Sequence, residues 1–248
     1  MDRLIYTAGS GAKHILEQQA TTSHNLANVT TTGFRAQIDA FRAVPIVGEN
    51  LPLATRAFVV NTTASTDFSS GPLQLTGRDL DVALKGKGFL AVQMPDGSEA
   101  YTRNGALQMN ENGLLTNTAG FAIQGDGGSI TVPPEVSVSI GGDGTISTIA
   151  TTTKPGAPTI LGRLKLVNPP EQDLVRGDDG LFRLKSGVAA EPDPQVAVAG
   201  GALEGSNVSP VDAMVTMISL ARSFELQMNL LKNAENNAAK ATQILALG

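Results

Sequence analysis

The hydrophobic period of this chain changes twice. Near its start, apolar or small residues fall at Ile5, Ala8, Ala12, Ile15, then Gln19, Thr22 and Leu26, in steps of three and four. That spacing predicts a helix over residues 3–28 carrying a narrow seam. Asp2 is placed to cap it. Gly9 and Gly11 weaken it, each by about 1 kcal/mol relative to alanine. Thr30-Thr31-Thr32-Gly33 ends it, with Gly33 suited to a positive φ. The far end repeats the pattern more strongly. Ser209-Pro210-Val211-Asp212 reads as a helix start, with a hydroxyl cap, a proline in the first turn and an acid behind it. Met214, Met217, Ala221, Phe224, Met228 and Leu231 then keep the three-four spacing, which runs on to Leu245. No glycine or proline interrupts this run, so it predicts an amphipathic helix of about five heptads.

Between the two ends the period falls to two. Leu73 and Leu75 alternate, as do Leu80, Val82 and Leu84. Short apolar runs follow at 88–92, 130–132, 136–140, 161–167, 181–184 and 196–198. Asp96-Gly97, Asn104-Gly105, Asn112-Gly113, Asp126-Gly127, Asp143-Gly144 and Asp179-Gly180 punctuate them. Such pairs supply the backbone freedom that tight hairpins need. The stretch predicts short antiparallel strands in a sandwich or barrel-like domain. Residues 44–72 read as irregular, and 150–159 as an exposed loop.

The predicted fold is therefore α+β, a mainly antiparallel β domain inserted between long N- and C-terminal helices. Residues 1–35 and 205–248 form the helical terminal domain, 36–72 an irregular connecting segment and 73–204 the β-rich domain. One helix cannot bury a seam alone. The ends must pair with each other in a coiled-coil-like arrangement, with other copies, or with both. The N-terminal helix is marginal in isolation, so both ends are expected to order on assembly.

Composition narrows the chemistry. The 248 residues include no cysteine and no tryptophan, and two histidines. No disulfide, thiolate metal site or cysteine nucleophile is available. A formal charge of −5 without a basic block argues against a nucleic-acid partner. No apolar run approaches the ~20 residues that span a bilayer, so no direct membrane insertion is expected. The opening residues lack the basic and apolar regions of a cleaved signal peptide.

No catalytic constellation emerges, and neither a metal nor a cofactor is expected. Gly86-Lys87-Gly88 has no GxxxxGK[ST] around it and reads as a turn between strands. Gly141-Gly142-Asp143-Gly144 and Asp126-Gly127-Gly128 lack the ligand series of a calcium loop. His14 and His24 do not share a helix face. Asp178 and Asp179 are adjacent in a turn rather than held apart as an acid pair. The methionines of the last helix read as core or subunit interface.

Motifs at both ends carry a family resemblance. Asn25-Leu26-Ala27-Asn28, then Thr31, then Gly33-Phe34, resembles the NLANxxTxG[FY] signature of flagellar rod and hook proteins. Leu203-Glu204-Gly205-Ser206-Asn207-Val208, with Met214, Met217-Ile218, Arg222 and Phe224-Glu225, resembles the signature at that family's other end. Leu80 to Leu84, Gly86 to Phe89 and Tyr101-Thr102-Arg103-Asn104-Gly105 extend the likeness through the middle, so it covers the whole chain. Within the family, Met1 to Ala8, Gly33 to Gln37, Phe41 to Pro45 and Pro52 to Arg56 resemble the proximal rod members. Distal rod members share the helical ends and are the alternative.

The resemblance implies structural work rather than catalysis. Such proteins leave the cell unfolded through the flagellar type III export apparatus, without signal cleavage. They assemble helically with other rod subunits, of their own and neighbouring kinds, into a periplasm-spanning rod of the basal body. That rod carries torque from motor to hook. The resemblance places Ile5, Ala8, Ala12, Ile15, Leu26, Met214, Met217, Ala221, Phe224, Met228, Leu231 and Leu245 at subunit contacts. Asn25, Asn28 and Asn207 either bond across subunits, clamp the chain as it leaves a helix, or cap their own backbone. A soluble enzyme with a β-sandwich, or a binding module, is the remaining alternative.

Overall fold

The computed structural model of the protein describes residues 2–45, 57–150 and 157–245. The chain divides into two compact units. One comprises Met1–Asn28, Ala36–Asp67 and Val208–Gly248; the other comprises Val29–Arg35 and Phe68–Asn207. The chain therefore passes between them four times.

The first unit holds helices α1 (Asp2–Ala27) and α2 (Pro210–Leu245), which pack on each other. Ser209 starts α2 as its sequence predicts. Its carbonyl accepts from the Ala213 N–H at 3.0 Å, and its Oγ accepts from the Asp212 N–H at 3.3 Å. Strands β1 (Gln37–Pro45) and β2 (Ala57–Thr66) complete the unit as an antiparallel pair that packs on α1. Their register runs from Gln37 opposite Thr66 to Pro45 opposite Ala57, with an irregularity at Ala40/Phe41.

This pair corrects the expectation of an irregular 36–72. The stretch is Thr/Ser-rich, but threonine is β-branched and favours extended backbone as valine does. Pro45 sits at the end of β1, which in a two-stranded sheet is an edge strand that tolerates proline. Pro52 to Arg56 and most of the loop expected at 150–159 lie outside the described residues.

The second unit is built of short antiparallel strands. Its largest sheet takes β5 (Phe89–Gln93), β6 (Glu99–Thr102), β7 (Leu107–Met109), β8 (Leu115–Asn117) and β9 (Ala122–Gly125). β10 (Gly128–Ser129) adds to β9, and β14 (Leu166–Val167) adds to β5. β15 (Leu174–Arg176) and β16 (Phe182–Leu184) close the far edge, giving the order β15-β16-β6-β5-β9-β8-β7. A second sheet pairs β11 (Val136–Ile140), β12 (Thr145–Ala150) and β13 (Thr159–Arg163). Two pairs remain. β4 (Val82–Lys85) lies with β17 (Ala197–Gly200), and β3 (Leu73–Leu75) lies with β18 (Ala202–Glu204).

Leu90, Val92, Leu107, Leu115, Ile123, Ile146, Leu164 and Val198 make the main core. Phe68, Phe89 and Phe182 form an aromatic cluster with ring centroids 5.5–6.0 Å apart. Two alternating runs behave differently from expectation. Asp81 through Leu84 are all buried, because β4 is covered on both faces. Leu73 and Leu75 lie in a strand but face water, Leu75 at 93% exposure. The turn pairs perform as predicted at Gly97, Gly113, Gly144 and Gly180, all at positive φ. Gly105 serves differently, since a Cβ there would stand 1.7 Å from the Val82 carbonyl oxygen.

Candidate functional site

Two features collect the residues that the sequence singles out: the faces of the terminal helices, and a buried charge cluster inside the β unit.

On α1, Ala8 and Ala12 are buried, and Ile15, Gln19, Thr22 and Leu26 are half-buried. The narrow seam is thus the covered face of this helix. Ile5 lies on α1 and Leu245 ends α2, but their side chains lie outside the described residues. Small residues let the helices close in. A Cβ at Gly11 would already stand in van der Waals contact with Gln227, at 3.5 Å.

On α2 the phase differs by one residue at alternate steps. Met217, Phe224 and Leu231 are half-buried as the seam requires. Their covered companions are Ala213, Leu220, Gln227 and Ala234, not Met214, Ala221 and Met228. Met214 and Met228 are 54% and 46% exposed. The heptad triplet is flanked by two candidate stripes, and the intrachain partner takes the one with more alanine. The other stripe widens into a free apolar surface of Val211, Met214, Val215, Ile218, Leu226 and Met228. At 100° per residue these side chains spread over roughly half the helix circumference. Beyond Met228 the same arc turns polar, with Asn229, Lys232, Asn233 and Asn236 all exposed.

The three amides of the end motifs bond within the chain. Asn25 reads both backbone groups of Gln37, donating from Nδ2 to its carbonyl at 2.8 Å and accepting its N–H at 2.9 Å. Asn28 caps α1, its Nδ2 donating to the His24 carbonyl at 2.9 Å. Asn207 donates to the Ser69 carbonyl at 3.1 Å. Two therefore clamp chain leaving or approaching a helix, and one caps its own helix. Of the other motif residues, Ala27 and Thr31 are exposed, Leu203 and Val208 half-buried, and Ser206 buried.

The charge cluster centres on Glu204, whose side chain is fully buried. Its Oε1 accepts from Arg35 Nη2 at 2.6 Å and from the Gly71 N–H at 3.0 Å. Its Oε2 accepts from Arg103 Nε at 2.7 Å. Arg103 spends its other nitrogens on the carbonyls of Gly88 and Gly86, at 2.7 and 2.8 Å. Burial pushes the Arg103 guanidinium below its ordinary pKa, and the Glu204 hydrogen bond opposes that shift. Gly33 passes so close that a Cβ would meet the Arg103 carbonyl carbon at 2.4 Å, and its φ is +68°. Its N–H donates to the Glu204 carbonyl at 2.8 Å. Phe34 is buried beneath the Arg176 guanidinium, 4.5 Å from ring centroid to Cζ.

Arg35 and Arg103 as partners of one carboxylate were not foreseen. Each stands in a stretch that carries the family likeness, but nothing local in the sequence joins positions 35, 103 and 204.

The geometry assigns structural roles to the residues screened for chemistry. Gly86-Lys87-Gly88 is a turn whose carbonyls face Arg103, so no nest of N–H groups is presented there. Asp179 is held below the usual carboxylate range by hydrogen bonds from Arg183. His14 meets Glu17 at 2.9 Å and the edge of Phe41 at 5.4 Å, while His24 is exposed. Among the described residues no cluster of three potential metal ligands occurs. No described helix is long and apolar enough to cross a membrane.

Comparison with known proteins agrees with this arrangement. Residues 5–35 match the model for flagella basal body rod proteins. Residues 83–148 match that for the flagellar hook protein FlgE/F/G D1 domain, and 199–244 that for the flagellar basal body rod FlgEFG protein C-terminal region. The chain is similar to the flagellar basal-body rod protein FlgF of Salmonella typhimurium, with 46% identity over the full length of both. It is equally similar to FlgF of Escherichia coli, again 46% over both full lengths. A rod protein FlgG, from Buchnera aphidicola, is 31% identical over 90% of this chain and 92% of its own. The chain belongs to the flagellar basal-body rod protein family, whose members are structural and not enzymes. Within that family it is more like these FlgF relatives than this FlgG relative.

Proposed function

We propose that the chain is a subunit of the proximal flagellar rod whose terminal helices build the inner tube while its β unit lies outside. The helices pair in a coiled-coil-like manner within each subunit. Ala8, Ala12, Ile15 and Leu26 of α1, with Met217, Phe224 and Leu231 of α2, serve that pairing. Met214, Ala221 and Met228 serve contacts with the next subunit.

One observation carries this reading: the exposed apolar arc on the first half of α2. A free monomer would gain by covering it, at roughly 25 cal/mol per Å². Apolar surface of this extent on a helix already packed on one side marks a second partner. An open helical assembly supplies one through heterologous contacts, in which each subunit offers two unlike faces.

The subunit travels unfolded through the flagellar type III export apparatus without cleavage of a signal, and joins a rod that spans the periplasm. Its neighbours there are its own copies and the adjoining proximal and distal rod proteins. A chain without cysteine suits passage into an oxidising compartment.

The test is Ile218→Asp. Ile218 is 56% exposed, so the free subunit should fold unchanged while rod incorporation and swimming fail. Wild-type incorporation into purified basal bodies would refute the arc as an intersubunit surface.

A further inference from the structure

We infer that Glu204 is the latch of a collar that ties the β unit to every stretch of chain leading into and out of it. The chain enters or leaves this unit between residues 28 and 29, 35 and 36, 67 and 68, and 207 and 208. Each of these passages has a residue bound at or beside Glu204. The short 29–35 segment is held at Gly33, whose N–H meets the Glu204 carbonyl, and at Arg35, whose guanidinium meets its carboxylate. The segment that starts at Phe68 is held at Gly71 by the same carboxylate oxygen that takes Arg35. The exit segment is held by Glu204 itself. Adjacent bonds reinforce the ring. Gly205 N–H donates to Pro72 at 2.8 Å, Asn207 Nδ2 donates to Ser69, and Arg176 Nη1 donates to the Arg35 carbonyl at 2.8 Å.

The chemistry favours a latch over ordinary core packing. The apolar core of the β unit comprises other residues, and Glu204 is not among them. What the carboxylate binds is two guanidiniums and one backbone N–H, from three segments remote in sequence. One carboxylate thus serves two guanidiniums, and its removal strands both arginines in a buried site. Glycine shows the same closeness at the backbone. A Cβ at Gly71 would stand 2.2 Å from the Gly205 carbonyl oxygen. The collar fits without room for a side chain, so it is either closed or displaced.

The experiment is hydrogen exchange on the full-length protein, read at individual amides. In Glu204→Ala the amides of Gly33, Gly71 and Gly205 should exchange about ten- to a hundredfold faster, while Ala91 and Val92 in the core keep their protection. Formate should restore the slow exchange, because a small carboxylate can re-enter between the two arginines. Stranded arginines can unfold the whole unit, so Asn207→Ala is the second variant. It loosens the ring and leaves every charge in place, and it should speed exchange at Gly71 and Gly205 alone. Two results would overturn the latch. One is unchanged exchange at these amides in both variants. The other is an equal rise at the collar and at Ala91 and Val92 in both, which would make the collar one more part of the core.

Discussion

Arg103 and Glu204 stand 101 positions apart in the chain and meet through Nε and Oε2 at 2.7 Å, both buried. Each lies in a stretch that marks the family, one in the middle of the chain and one near its end. The two residues fall in separately matched regions, 83–148 and 199–244, which the fold brings into contact. Arg103 also reaches back to the Gly86 and Gly88 carbonyls, so one guanidinium joins the turn between β4 and β5 to the final strand.

Arg103→Lys should show what the planar fork contributes. A lysine ammonium cannot serve Glu204 and two carbonyls in this geometry. The expected loss is about 1–3 kcal/mol, the range for leaving buried hydrogen-bonding groups without a partner. Urea unfolding followed by circular dichroism measures it, and a loss under about 1 kcal/mol would make the contact dispensable.

Phe224→Asp and Leu231→Asp address the covered face of α2. Both should cost helix content in the free subunit, because an unpaired carboxylate then lies against α1. Ile218→Asp should leave the far-ultraviolet spectrum of the free subunit unchanged. If all three behave alike, the assigned phase of the helix is wrong.

Gly33→Ala carries two penalties. A left-handed φ costs a non-glycine residue about 1–3 kcal/mol. The new methyl would also overlap the Arg103 backbone, so the effect should exceed that range. The melting temperature of the variant gives the answer; a shift too small for even 1 kcal/mol contradicts the close approach.

Tyr101 gives the β unit a limit at high pH. Burial raises its pKa above the ordinary 10, although the Ala190 N–H bond to its oxygen at 2.7 Å works the other way. A raised folded-state pKa means that this contribution to stability is intact below the unfolded value. It is lost as pH climbs from there through the folded value. The other tyrosine is Tyr6, so Tyr6→Phe isolates the signal. Ultraviolet titration of that variant should show tyrosinate appearing above pH 10, and appearance below it would contradict the burial.

Much of this was legible in the sequence. The three-four spacing located both helices to within a residue or two, and Ser209-Pro210 marked the start of α2. The seam on α1 coincides with buried or half-buried positions at every described member. On α2 two stripes flank Met217, Phe224 and Leu231, and periodicity alone cannot say which one α1 takes. The β1–β2 pair was missed because Thr62, Thr63 and Thr66 read as polar loop when their branching favours strand. Strands β6, β7, β8, β9, β10, β12, β15 and β18 escaped because two to six residues with polar members carry little periodicity, although the turns between several of them were identified, and the run at 130–132 forms no strand. The Glu204 cluster was invisible for another reason: its geometry depends on tertiary contacts between segments that no local pattern links.

The pairing of α1 with α2 also has a meaning in time. The two helices sit at opposite ends of the chain, so α1 has no helix to lie on until residues from Pro210 onward exist. Contacts of such separation form late, because a long loop must close first. Glu204 arrives only a few residues before α2 begins. A chain still short of residue 202 thus lacks both β18 and α2, and its α1 waits without a partner helix. The helix pair on which the first unit is built is therefore completed only after the β unit between the two helices has been made.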